Sequence, residues 1–153
     1  MPNYNKNKGK KFETKIANIV DKHCNRLIKT NAINELRVKR SPFSGIAKDE
    51  QGDVDLGIFR EYLPNLVIEC KKWNRLNFNN NIFKVLNEVK RIWQQYKEMY
   101  GDKDVVLVFE ANRGKPYALT NIQLQLPNIC YNNLYLYEFE QFIEKYIQIQ
   151  MKK

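Results

Sequence analysis

Residues 53–71 read DVDLGIFREYLPNLVIECK, and four of these side chains have the types and spacing to act together. Extended chain alternates its side chains between two faces. Asp53 and Asp55 therefore share one face, with Val54, Leu56 and Ile58 on the other. The same alternation over 65–72 places Glu69 with Lys71 and turns Leu66, Ile68 and Cys70 toward a core. Pro64-Asn65 supplies turn chemistry between the two strands. Carboxylates gathered at one sheet edge repel one another unless a divalent cation lies between them, and an all-oxygen donor set suits a hard ion such as Mg²⁺.

The surrounding pattern predicts a mixed α/β order that would hold these strands in place. Phe12, Ile16, Ile19, Val20 and Leu27 have helical spacing over 9–29, behind a basic, flexible leader at 1–8. A first strand is expected around Leu36 and Val38, followed by the loop 40–45 and a polar, Gly-terminated loop at 46–52. The strongest helix signal runs over 79–100, where Ile82, Val85, Leu86, Val89, Ile92, Trp93, Tyr96 and Met99 make one stripe and Gly101 ends it. Apolar 105–109 reads as a strand that turns at 112–116 into 117–120, and a late strand near 134–137 precedes a terminal helix over 138–150. The expectation is a single domain over 1–153 with a central mixed sheet of four or five strands flanked by helices.

Composition narrows the partner. Hydrophobic residues make up 43% of the 153, enough for a real core. Lys and Arg number 26 against 17 Asp and Glu, a formal +9 that favours a polyanion: nucleic acid or an anionic membrane surface. No run of about 18 apolar residues is present, and MPNYNKNKGKK has no signal-peptide apolar region, so nucleic acid is the better partner and no membrane is expected. Three cysteines without CxxC pairs fit a reduced, intracellular protein. His23 reads as a partly exposed helix residue, Cys70 as a structural thiol, and Trp93, Tyr96 and Tyr100 as helix-spaced packing aromatics.

Asp55 followed by Glu69-Cys70-Lys71 resembles the signature of the PD-(D/E)XK nucleases: an aspartate on one strand and (D/E)-x-K on the next. GDVDL and VIECKKW are especially similar to the archaeal-type Holliday junction resolvases and to related phage and Mrr-type restriction nucleases. Gly9-Lys-Lys-Phe-Glu13 and Arg40-Ser-Pro-Phe-Ser44-Gly45 stand where those families carry a helix glutamate and a basic Ser-Gly loop. The resemblance covers roughly 9–110 and departs at Val54, where the family has proline, which leaves both Asp53 and Asp55 open as the family aspartate; Asp55, followed by an apolar residue, is preferred.

The resemblance implies a restriction-endonuclease-like core and metal-dependent hydrolysis of DNA phosphodiesters. Asp55 and Glu69 would hold Mg²⁺ (with Mn²⁺ as a substitute), helped by the Cys70 backbone carbonyl and by Asp53 as a further ligand. Lys71 would orient the attacking water, and Glu13 would complete the metal shell. Arg40 and Ser44 would bind phosphate. Lys8, Lys10, Lys11, Lys72 and Arg75 are solvated basic candidates for DNA contact, and Trp73 lies among them. The small size and basic leader favour a structure-specific Holliday junction resolvase acting as a homodimer on branched DNA. A sequence-specific homing or restriction enzyme acting on duplex is the alternative, and a catalytically silent DNA-binding module is disfavoured by the intact acid-acid-lysine set. The apolar dimer surfaces expected are Phe83, Trp93 and Tyr100 on the long helix, and the segment 131–142.

Overall fold

The computed structural model describes residues 4–30, 37–41, 52–72, 78–110 and 114–153, with side chains from residue 9 onward and, in the second helix, from residue 83. Its elements are helix α1 (Tyr4–Leu27), strands β1 (Lys39–Arg40) and β2 (Val54–Asp55), a 3-10 turn (Gly57–Glu61), β3 (Leu66–Lys72), α2 (Phe78–Tyr100), β4 (Asp104–Glu110), β5 (Pro116–Thr120), β6 (Ile129–Tyr131), β7 (Leu134–Glu138) and α3 (Phe139–Met151). A five-stranded mixed sheet runs in the order β3-β4-β5-β7-β6, with β1 and β2 forming a separate antiparallel pair. This is the α/β, restriction-endonuclease-like architecture expected from the sequence.

β3 and β4 are parallel, from Leu66 beside Asp104 to Lys72 beside Glu110. A parallel pair cannot be closed by a hairpin and needs a crossover, and α2 is that crossover. β4 is buried on both faces, which explains its unbroken apolar run: Val106 and Val108 meet one layer, Val105, Leu107 and Phe109 the other. The first layer is α1 with α3, supplying Phe12, Ile16, Val20, Cys24, Phe139, Phe142, Ile143 and Ile147. The second is α2, supplying Leu86, Val89, Ile92 and Trp93, with the indole Nε1 donating to the Val105 carbonyl at 3.0 Å. Gly101 ends α2 with φ +63, a left-handed cap in which its N–H meets the Lys97 carbonyl.

Several expectations are corrected here. The strand predicted over 52–59 stops at Asp55, because Gly57 turns with φ +56 and Leu56, Phe59 and Leu63 are all buried from a helical turn. Their spacing of three and four is a helical signal in the sequence that the period-2 reading passed over. The helix predicted from residue 9 begins at Tyr4, so most of the expected flexible leader is helical. β6 had no sequence signal of its own and is three residues long. Of the first strand only Lys39–Arg40 is seen; 31–36 lies outside the described residues, as do the loop residues 42–51.

His23 is 3% exposed rather than partly open, with Nε2 3.1 Å from Glu140 and Nδ1 3.0 Å from Arg26. Trp93 and Phe142, expected at a dimer surface, belong to the chain's own core, while Phe83 stays open at 65% exposure with its ring 6.3 Å from that of Tyr131. Cys24 is buried, its thiol pushed up to about 12 by burial and then by Asp21, Cys70 is half-buried, and Cys130 on β6 is exposed.

Phe142→Ala should cost about 3–5 kcal/mol of unfolding free energy, as expected for a fully buried aromatic ring. Urea denaturation measures it, and a loss below about 1 kcal/mol would place this ring outside the core.

Candidate active site

β3 is an edge strand of the five-stranded sheet, and its free edge is where the site assembles. Gly52 bridges to Ile68, the Asp53 N–H donates to the Ile68 carbonyl at 2.9 Å, and the Asp53 carbonyl accepts from the Ser41 N–H at 2.9 Å. A Cβ on Gly52 would stand 2.6 Å from the Ile68 carbonyl oxygen and 2.9 Å from Val67, and its φ is +76. Only glycine allows so close a backbone approach at that angle. The approach delivers the Asp53 carboxylate to the end of β3, where Oδ2 accepts from the Cys70 N–H at 2.8 Å.

Glu69 meets Asp53 there. It is 6% exposed, and Asp53 is 8% exposed. Two carboxyl groups facing each other away from water cannot both ionise cheaply. The Glu69 carboxyl is pushed up to about 9 by burial first, then by the charge of Asp53 and the hydrogen bond between the two side chains, with Glu13 adding a smaller push. The Tyr100 hydroxyl, from the last turn of α2, donates to Glu69 Oε1 and pulls the other way. That hydroxyl is in turn held protonated by burial and by Glu69, and burial beside the same carboxylates takes Tyr96 up to about 12.

The structure thus brings together Asp53, Glu69, the Cys70 backbone and, at longer range, Glu13. Asp55, the aspartate preferred from sequence, is engaged elsewhere: Oδ1 accepts the Gly57 N–H at 2.9 Å and shapes the 3-10 turn. Asp55 pairs in register with Lys39. Glu13 takes Arg40 Nη1 at 3.4 Å, so the helix glutamate and the loop arginine form one ion pair. Lys71 is exposed, on the face that turns toward α2, where it acts on Glu88. Lys10 and Lys11 are exposed on α1, and Lys72 is bound by Glu110. Lys8 lies in α1 without a described side chain, and Ser44, Trp73 and Arg75 lie outside the described residues. Tyr100 was missed: its helical spacing marked it for packing, and nothing in the sequence says that its hydroxyl reaches β3.

The donor chemistry at this edge fits a divalent cation in part. Asp53 and Glu69 offer two acid groups, with the Glu69 carboxyl pushed up by burial and by the Asp53 charge. Backbone groups of Ile68 and Cys70 both face Asp53, and a strand residue's N–H and C=O point to the same side, so the Cys70 carbonyl shares that edge. Among the described residues no three His, Cys, Asp or Glu side chains stand together as a complete metal cage.

The fold is a restriction-endonuclease-like core. A family model described as "Phage putative PDDEXK endonuclease" matches residues 4–152, and the chain belongs to that family. No curated protein and no solved structure matches it.

The raised Glu69 has a measurable linkage. Its folded value lies above its unfolded value near 4.5, so its contribution is full below about pH 4.5 and is lost as pH rises through about 9. With chelator present, stability should therefore fall between about pH 5 and pH 9, with a slope no steeper than ~1.4 kcal/mol per pH unit. Glu69→Gln should flatten that slope in parallel urea titrations. An identical slope in the variant would show that another group carries it.

Proposed function

We propose that the chain is a divalent-metal-dependent endonuclease acting on DNA, with its reaction centre at the Asp53–Glu69 pair. The observation that carries this reading is a buried acid pair at the edge of β3, its glutamate two residues before an exposed lysine. Structural acids are seldom left facing each other out of water, and functional ones often are. Asp53 and Glu69 would hold Mg²⁺, with the Cys70 carbonyl as a further oxygen donor and Glu13 within electrostatic reach. A cation bound there supplies charge neutralisation and a water of lowered pKa. Tyr100 fixes the orientation of Glu69 through its hydroxyl, and the Cys70 N–H fixes that of Asp53. Lys71, free to reach solvent, would contact the scissile phosphate or orient the water. Arg40, held by Glu13, and the exposed Lys10 and Lys11 would bind flanking phosphates.

A branched-DNA substrate is the favoured one, as for a Holliday junction resolvase. The described elements are nearly all used in building the core, which leaves little surface for reading bases, and the +9 charge favours backbone recognition. Paired incisions on a two-fold substrate call for two copies of the chain, and the open Phe83–Tyr131 face is the surface we assign to that homodimer. No helix among the described residues is long and apolar enough to cross a membrane.

Glu69→Gln and Asp53→Asn should each lower cleavage at least ~100-fold while DNA binding holds, since neither removes a phosphate-binding cation. Asp55→Asn should be milder; the reverse ranking would return the main ligand role to Asp55. The substrate is decided by incubating four-way junction, duplex, flap and single strand with Mg²⁺ and with chelator. Junction cutting by symmetric nicks is expected. Cutting of plain duplex at fixed sequences would instead make this a homing or restriction enzyme.

A further inference from the structure

On the opposite face of β3 from Glu69, a second charged cluster is built around Glu110. This residue ends β4 in register with Lys72, and its side chain is 4% exposed. Oε1 accepts from Lys15 of α1 at 2.6 Å and Oε2 accepts from Lys72 of β3. Lys15 also donates to the Gly114 carbonyl. Gly114 has φ +77, and a Cβ there would lie 3.0 Å from Glu110 Oε1, so the backbone closes onto the pair in a way that only glycine permits. Burial alone would raise the Glu110 carboxyl, but the two lysine hydrogen bonds outweigh it and hold it below its ordinary range.

The cluster has one negative and two positive charges. Both ammonium groups reach solvent, Lys15 at 42% and Lys72 at 33% exposure. Each ammonium has three donors. Among the described residues Lys15 uses two and Lys72 one, which leaves three N–H donors and one unbalanced positive charge at the surface. A tetrahedral oxyanion with several acceptors matches that surplus. Because both lysines sit on one carboxylate, their free donors lie within reach of a single phosphate. The position is also apt, at the carboxyl ends of the two parallel strands and three residues beyond Glu69.

We propose that Lys15 and Lys72, fixed on the two oxygens of Glu110, form a clamp for one backbone phosphate of the DNA strand, with Glu110 as the positioning residue. This rests on the nuclease reading and adds two residues to it, Lys15 and Glu110. A purely structural tie between α1, β3 and β4 would show the same ion pairs, but it would not set how DNA binding responds to salt.

The test is DNA binding by fluorescence anisotropy in chelator, over a salt series, with thermal unfolding of each variant in parallel. Lys15→Gln is the safest variant, since that side chain is the most exposed of the three. Lys15→Gln, Lys72→Gln and the double variant should each lower the slope of log affinity against log salt by about one unit, the double no more than the singles, because one phosphate contact is lost in all three. Glu110→Gln removes a negative charge, so a bulk charge effect would tighten binding; loss of the clamp geometry weakens it several-fold instead. Lys15→Arg should restore most of the wild-type slope. Unchanged slopes in folded variants, a two-unit loss in the double, or tighter binding by Glu110→Gln would each overturn the clamp and leave the nuclease reading standing. A wild-type protein that binds no DNA would overturn both.

Discussion

The site depends on one backbone contact, the approach of Gly52 to the carbonyl of Ile68. A sheet edge is ordinarily open to water or to another chain. Here the segment that leads into β2 closes the end of that edge by two hydrogen bonds, and a carboxylate enters with it. Once Asp53 is placed, Glu69 cannot ionise freely, Tyr100 becomes its hydroxyl partner, and the last turn of α2 is tied to the middle of β3. Such an arrangement is unfavourable by itself, since two acids share a dry position. It persists because the apolar layers fix both strands independently: β4 is buried on both faces and β3 is buried from Leu66 to Ile68. Site strain is carried by core packing.

β3 divides its labour by parity. Glu69 and Lys71 turn toward α2, where the proposed reaction centre lies, while Cys70 and Lys72 turn toward α1, where Glu110 waits. A strand with only one wet face could not do this. At its carboxyl end the apolar cover of both layers runs out, so both faces become available within four residues.

Much of this was legible in the chain. The long helix and the fully apolar β4 follow from periodicity and length. The Glu69-Cys70-Lys71 strand follows from an apolar run that ends in charge. Period-2 reasoning also put Asp53 and Asp55 on one face, yet it could not say which one would reach Glu69. That choice is made by Gly52 and Gly57, two positive-φ positions that bend the chain on either side of the aspartates. Tyr100, Lys15 and Glu110 were invisible for a shared reason: each meets its partner across 31 to 95 residues of sequence. Local pattern carries no information about which end of a helix passes a given strand. The same holds for His23, whose burial depends on where α3 crosses α1.

The three thiols differ in a way that makes the molecule convenient to observe. Cys24 is sealed in the core and its thiol resists ionisation, and burial does the same to Cys70. Cys130 alone is open, on β6, four strands across the sheet from β3. A maleimide fluorophore or spin label would therefore settle at one address, on the rim of the sheet farthest from β3. It would report the arrival of a second copy or a nucleic acid at that rim without entering the chemistry.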